Sequence, residues 1–428
     1  MVNGWNILEM IPSMIVGEEL QEIMKVNPDY SPDIKEKSQA ERLMALNNIY
    51  SLYYPSTMGS EIYTKIYLAL TRSLQKKESK IAIKQRNLNG NAIRRKESYG
   101  GIIGGSDCFS IIGSSGIGKS RSIERAISIV GGEKIIELEN PFCRIIPIIN
   151  VQCPFDCSGK ALLLSICKKV DEALETNYYE MEIRARSSTN MMIVSVAQLL
   201  LNHCAVLVID EIQNLVKHKA GTQLVSMLTE LLNESGISIV MVGTPEVESF
   251  FRSVDYLARR TLGLHYDKCS YDDYFYDFCR EMWKYQYVKN KSEITEGIIH
   301  YLYEHSAGTL SHVMFLFYTA QEISILNGRE CLDIELLEEA YQRMRMLHTH
   351  IAPEIRLKNV PCKKKRTKSV DDITSTTMNK MVVNASPLEQ EGNQEEWSFM
   401  EIADYSKKKN IDMLLLLQGK LSITELEV

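Results

Sequence analysis

Apolar positions along this chain fall into two rhythms. Between residues 60 and 74, Ile62, Ile66, Ala69, Leu70 and Leu74 recur at helical spacing and predict an amphipathic helix. Short continuous apolar runs then alternate with helical stretches. The runs are 108–112, 144–151 (interrupted by Pro147), 205–209 and 238–242, and the helices between them are predicted over 122–130, 160–174, 190–202 and 222–234. Buried runs separated by crossover helices predict a parallel sheet with helices on its faces. Beyond residue 270 the period is helical throughout, over 272–287, 294–304, 310–326 and 333–346. This predicts a small all-α unit after the α/β core. Residues 1–40, broken by Pro12, Pro28 and Pro32, read as a docking arm or as poorly ordered chain. From about residue 353 the chain turns polar. It opens with the basic cluster 363–368 and carries apolar islands at Trp397, Phe399, Met400 and 413–417. Such islands suit segments that fold on a partner, or a helix that returns to its own core.

The turn between the first run and its helix carries the clearest chemistry. Gly113, Ser114, Ser115, Gly116, Ile117, Gly118, Lys119 and Ser120 fit G-x-x-x-x-G-K-[ST] between a strand and a helix. Glycines without Cβ atoms let backbone N–H groups approach phosphates, and the helix N-terminus adds positive potential. Lys119 is expected to reach the β/γ-phosphates, Ser120 to ligate Mg²⁺, and Arg121 to follow in the nucleotide-binding set. The run 205–209 delivers Asp210 and Glu211 at its C-terminal end, 91 residues after Lys119 (210 − 119). Asp210 is expected to hold Mg²⁺ opposite Ser120, and Glu211 to polarise the attacking water. Thr244, after the run 238–242, either orients that water or caps the helix that Pro245 starts. Arg259 and Arg260 are candidates to act in trans on a neighbour's nucleotide.

Composition narrows the partners. The 428 residues are 45% hydrophobic and 24% charged with a net charge of −6, so nucleic-acid contact must come from local patches. Residues 72–96 hold nine basic side chains and one acidic one, among them Lys84, Arg86, Arg94 and Arg95. They form a solvated face or a phosphate-contacting patch. Of the ten cysteines only Cys153 and Cys157 lie close together, which argues against a zinc site. No apolar run approaches membrane-spanning length, and the expectation is a soluble cytoplasmic protein with reduced thiols.

These motifs describe an additional-strand P-loop ATPase of AAA+ type. The runs 113–120, 206–215 (Val-Leu-Val-Ile-Asp-Glu-Ile-Gln-Asn-Leu), 242–245 and 153–160 resemble the TnsC/TniB family, AAA+ regulators of Tns-type DNA transposition. The resemblance covers about residues 40–348. It implies a five-stranded parallel AAA+ sheet, ATP and Mg²⁺ as cofactors, and ATP hydrolysis. It also implies hexameric or heptameric rings or filaments around duplex DNA in a bacterial cytoplasm. The implied partners are the TnsA/TnsB transposase and a TnsD/TniQ-class target selector, sometimes with a CRISPR effector. Lys160 becomes a candidate to track the DNA backbone. The expected divisions are an N-terminal extension (1–97), an AAA+ core (98–269), a helical lid (270–350) and a C-terminal tail (351–428). The stretch 308–312 lacks the arginine that many AAA+ lids aim at the γ-phosphate. The alternatives are a nucleotide-gated scaffold that needs no hydrolysis, an Orc/Cdc-type replication initiator and a signalling P-loop ATPase.

Overall fold

The computed structural model describes residues 7–78, 83, 84, 88, 108–139, 142–214, 221–248 and 263–347. All of them lie in the first of two compact units, 1–356 and 357–428. Strands β1 (Cys108–Gly113), β2 (Ile136–Glu139), β3 (Phe142–Gln152), β4 (Cys204–Asp210), β5 (Ser238–Gly243) and β6 (Leu264–Tyr266) form one sheet in the order β2-β3-β4-β5-β1-β6. The pairs from β3 to β6 are parallel, and β2 runs antiparallel on β3. The expected sheet of five parallel strands is therefore a mixed sheet of six. The sixth strand is Ile-Glu-Leu-Glu, an alternating tetrad that folds back on the long strand following it and pairs Ile136 with Ile145.

Strand β5 is inserted between β1 and β4, so three strand ends meet at one edge. Pairing of Ile112 with Gly243 and of Ile209 with Met241 fixes their level. Strands β4 and β5 are apolar on both faces because helices cover both. One face carries α5 (Gly159–Leu174), α7 (Thr189–His203) and α8 (Gly221–Ser235) around Leu163, Ile166, Leu200, Leu207 and Ile239. The other carries α3 (Thr57–Glu78) and α4 (Lys119–Ile129) around Ile62, Ile66, Ile123, Val206 and Val240. Each such side chain, fully withdrawn from water, contributes roughly 1.5–3 kcal/mol. Ser158 and Ser188 start α5 and α7 by accepting backbone N–H groups three residues on. A further short helix, α6 (Tyr178–Ala185), lies between them.

The chain after the sheet forms α9 (Asp273–Trp283), α10 (Glu296–Ser306), α11 (Leu310–Leu326) and α12 (Ile334–Leu347), with a core of their own. That core includes Leu46, Ile49 and Leu52 from the N-terminal segment. The segment holds α1 (Gly17–Met24) and α2 (Gln39–Leu46), the latter started by a capping box between Ser38 and Glu41. It reaches both parts of the unit. Arg125 donates to the Met24 carbonyl on the sheet side, while Tyr30 meets Tyr285 and Tyr287 edge-on at 5.6 and 5.3 Å on the helical side.

The tightest of these joints is ionic. Arg42, 1% exposed, grips both carboxylate oxygens of Glu330 at 2.6 and 2.5 Å and also donates to the Tyr287 carbonyl. The Arg42 guanidinium and the Lys289 N–H hold the Glu330 carboxyl below its ordinary value, against the opposing effect of burial. Arg42→Met strands the carboxylate, and we expect a loss of about 3–5 kcal/mol in urea unfolding at neutral pH. A depressed carboxyl pKa stabilises the fold above the unfolded value of 4.5 and ceases to do so as the pH falls through the folded value. The gap in midpoint between wild type and Arg42→Met therefore narrows as the pH is lowered past that region.

Candidate functional site

The P-loop occupies the meeting edge. β1 ends at Gly113, where a Cβ would stand 2.7 Å from the Tyr266 carbonyl, so the loop leaves the sheet in contact with the end of β6. Gly118, at φ +100°, turns the chain into α4, whose first residue is Lys119, and a left-handed conformation of this kind favours glycine. The helix thus starts three residues before its sequence period becomes legible. Ser120 sits in its first turn, and its hydroxyl donates to the Asp210 carboxylate at 2.7 Å. The two expected Mg²⁺ ligands are brought together across 90 residues.

Lys119 is buried, and its ammonium donates to the carbonyls of Gly113 and Ser114 at 2.7 and 2.8 Å. Burial lowers its pKa, opposed by the carboxylates of Asp210 and Glu211. Glu211 lies beyond the end of β4 at φ +60°, the left-handed region, which costs a residue with a side chain roughly 1–3 kcal/mol. Its N–H donates to Asp210 Oδ1 at 2.8 Å rather than to a neighbouring strand. The turn is held by the Ile212 N–H on the Val242 carbonyl of β5. Thr244 lies half-buried past β5. Its carbonyl accepts the Val247 N–H, while its hydroxyl is buried without a partner and caps nothing.

Two adjoining cavities open here. One of about 300 Å³ runs from Ser115 and Lys119 past Ser120, Asp210 and Glu211 to Thr244. The second, about 260 Å³, is mostly apolar and lies between the N-terminal segment (Leu52, Tyr53, Tyr54) and α9 and α11 (Tyr274, Phe278, Met314). Gly116, Gly118, Arg121 and Ser311 line both. The arginine-free stretch 308–312 closes on the P-loop through main chain, with the Ser311 N–H on the Gly116 carbonyl at 3.1 Å. Arg121 sends its guanidinium to the Leu52 carbonyl at 3.2 Å, and Tyr53 donates to Ser122 at 2.9 Å. These joints tie the apolar cavity to the phosphate edge.

The donor set fits a magnesium nucleotide. A loop of glycines faces a helix N-terminus, Ser120 and Asp210 offer two oxygens to one point, and an unpartnered hydroxyl waits at Thr244. Sequence reasoning missed Gln213, which reaches the Glu211 carboxylate with its amide N–H. Its signal lies in the run Asp210-Glu211-Ile212-Gln213, in which only the two acids announce a reaction chemistry.

The DNA candidates are placed unevenly. Lys160 donates to the Ser187 carbonyl at 3.2 Å, and Lys77 of the basic stretch is buried, with its ammonium on the Leu201 carbonyl at the end of α7. Lys84 is exposed. Arg86, Arg94, Arg95, Arg259 and Arg260 lie outside the described residues. Among the described residues no helix is long and apolar enough to cross a membrane, and no cluster suited to a metal forms from His, Cys, Asp and Glu.

Residues 103–251 match the family described as AAA domain. A comparison with curated proteins returns no match. Among solved structures the chain is similar to the Aeropyrum pernix ORC2 protein in its ADPNP–ADP complexes, at 14% identity and TM-score 0.39 over 61% of this chain and 66% of that one. It is also similar to Drosophila ORC bound to DNA (14%, 0.44, 79% and 71%). A third is domain III of the Thermotoga maritima replication initiation protein DnaA (16%, 0.36, 55% and 83%). With every TM-score below 0.5 this likeness carries no argument of its own, and the chain spans about two thirds of the Aeropyrum protein's length. Nothing in the comparisons singles out the TnsC/TniB family. The described core is an α/β P-loop ATPase fold of AAA+ type.

The contact between α11 and the P-loop makes a prediction. A Cβ at Gly116 would stand 2.2 Å from Ser311 Oγ, on a backbone at φ +77°. Gly116→Ala is expected to lower the melting temperature and to weaken magnesium–ATP binding at least tenfold by calorimetry.

Proposed function

We propose that this chain is a magnesium-dependent ATPase that uses nucleotide to control its association with itself and with duplex DNA. The observation that carries the ATPase reading is the contact of Ser120 with Asp210 beneath the P-loop, with Glu211 beside it. Ser120 and Asp210 would hold Mg²⁺, which when bound neutralises charge on the β- and γ-phosphates. Backbone N–H groups of the P-loop and the Lys119 ammonium receive the phosphates. The base enters the apolar cavity between Tyr53 and Met314, so the N-terminal segment and α11 close over it. Glu211 accepts a proton from the attacking water, and Thr244 orients that water. The helices α9–α12 act as a lid, and Arg259 or Arg260 serves a neighbouring subunit's site.

Duplex DNA as partner rests on the motif resemblance and on the basic stretch 72–96, of which Lys84 is exposed. The TnsA/TnsB transposase and the TnsD/TniQ selector rest on the resemblance alone. One of the solved structures described above is a replication initiation protein and two others are ORC proteins, and an Orc/Cdc-type initiator role stands at least level with transposition control. Both readings share the nucleotide-dependent association, and the first experiment addresses that shared step.

Lys119→Ala is expected to abolish ATP binding and any ATP-dependent assembly seen by negative-stain imaging with duplex DNA. Assembly that persists in that variant would separate nucleotide from association. Glu211→Gln is expected to keep ATP affinity while turnover falls by roughly 10²–10⁴-fold, as for loss of a general base. Unchanged turnover in this variant would remove Glu211 from the reaction. ATP-loaded wild type is expected to bind duplexes of unrelated sequence equally, with log K falling linearly against log salt concentration. Salt-insensitive, sequence-specific binding would contradict backbone recognition.

A further inference from the structure

Gln213 is 9% exposed and sits on the turn after β4, facing the end of β5. Its carboxamide has two unlike ends. The Nε2 end donates to a Glu211 carboxylate oxygen, and only that end can, because a carboxylate accepts and does not donate. The Oε1 end must therefore face the other way, where it is buried with no partner. The glycine at 243 leaves room for it: a Cβ there would stand 3.1 Å from this oxygen. One residue further on, the Thr244 hydroxyl is the second buried polar group without a partner on the same cavity wall. One orphan is a pure acceptor and the other can donate. Buried polar groups are almost always satisfied, directly or through one water, so two complementary orphans on one wall ask for a common explanation.

We propose that Gln213 is a positioning residue that joins Glu211 to Thr244, so that carboxylate, carboxamide and hydroxyl set the attacking water as one unit. This rests on the ATPase reading above. The carboxamide fixes one Glu211 oxygen and leaves the other free to take the water's proton. Its own orientation is fixed in turn by Oε1 accepting from Thr244, directly or through a water. Glu211 needs such a brace because its backbone is held in the left-handed region, where no regular element supports it. A misplaced base costs on the order of 10²-fold in rate.

The test compares wild type, Gln213→Met, Gln213→His, Thr244→Val and the double variant Gln213→Met/Thr244→Val. Gln213→Met keeps length without donor or acceptor. We expect its kcat to fall about 10²-fold, with ATP affinity by calorimetry and melting temperature both unchanged. Its affinity for ADP–aluminium fluoride, which mimics the transferring phosphoryl group, falls while affinity for ADP does not. Gln213→His, whose imidazole can donate from one nitrogen and accept at the other, recovers most of the rate. The double variant is no slower than the worse single one, as for residues acting as a unit. Wild-type turnover in Gln213→Met, a loss of ATP binding equal to the loss of rate, or strictly multiplicative losses in the double variant would each overturn the proposal. Absence of Lys119-dependent turnover in wild type would overturn the ATPase reading itself, and the inference with it.

Discussion

The register of three parallel strands is the constraint on which the rest of the molecule depends. Pairing of β1 with β5 and of β5 with β4 brings Gly113, Gly243 and Asp210 out at one edge, each followed by a turn rather than by more strand. A slip of one residue would turn every side chain of the shifted strand to the opposite face, and the apolar runs on both faces would lose their partners. The register is therefore enforced by the apolar core on both faces of the sheet. The site inherits its geometry from hydrophobic burial. The polar residues then need only short reach, as with Ser120 on Asp210 or the Ile212 N–H on Val242.

The second organising feature is the N-terminal segment, which belongs to two cores at once. Leu20, Met24 and Tyr53 pack with the sheet, while Leu46, Ile49 and Leu52 pack with the C-terminal helices. Arg42 on Glu330, Tyr50 on Tyr318 at 5.0 Å and the Gln39 amide on the Ile325 carbonyl complete the joint. Between these contacts the chain forms one wall of the apolar cavity beside the P-loop. A ligand in that cavity would touch three stretches that lie far apart in sequence, and its binding would be felt by all of them.

The legible parts of this protein were those with local codes. The P-loop is eight consecutive residues, and Asp210-Glu211 ends an unbroken apolar run, so both could be read without knowing any neighbour. The helices near 160–174, 190–202 and 310–326 lie within a residue or so of their expected bounds, because their periods are long. What escaped was short or non-local. Strand β2 has four residues and means nothing without β3 beside it. Residues 1–40, broken by prolines, read as a docking arm or loose chain because their partners are far away: the Tyr30 hydroxyl donates to the Gln286 carbonyl, 256 residues on. Lys77 and Lys160 look like surface charge in sequence, yet each is drawn to a carbonyl. Gln213 escaped because an amide announces no chemistry until the atoms around it are known.

The contact of Ser311 with Gly116 is made by main chain on both sides. Where a lid arginine can be lost to a single codon change, an N–H donor persists through every substitution except proline. The link between the C-terminal helices and the phosphate loop therefore does not depend on the chemistry of the Ser311 side chain, so long as position 116 stays glycine. It also carries no net charge, so a change of ionic strength leaves it almost untouched. A lineage built this way can vary the surface of those helices freely, and recruit new partners there, without uncoupling them from the loop beneath.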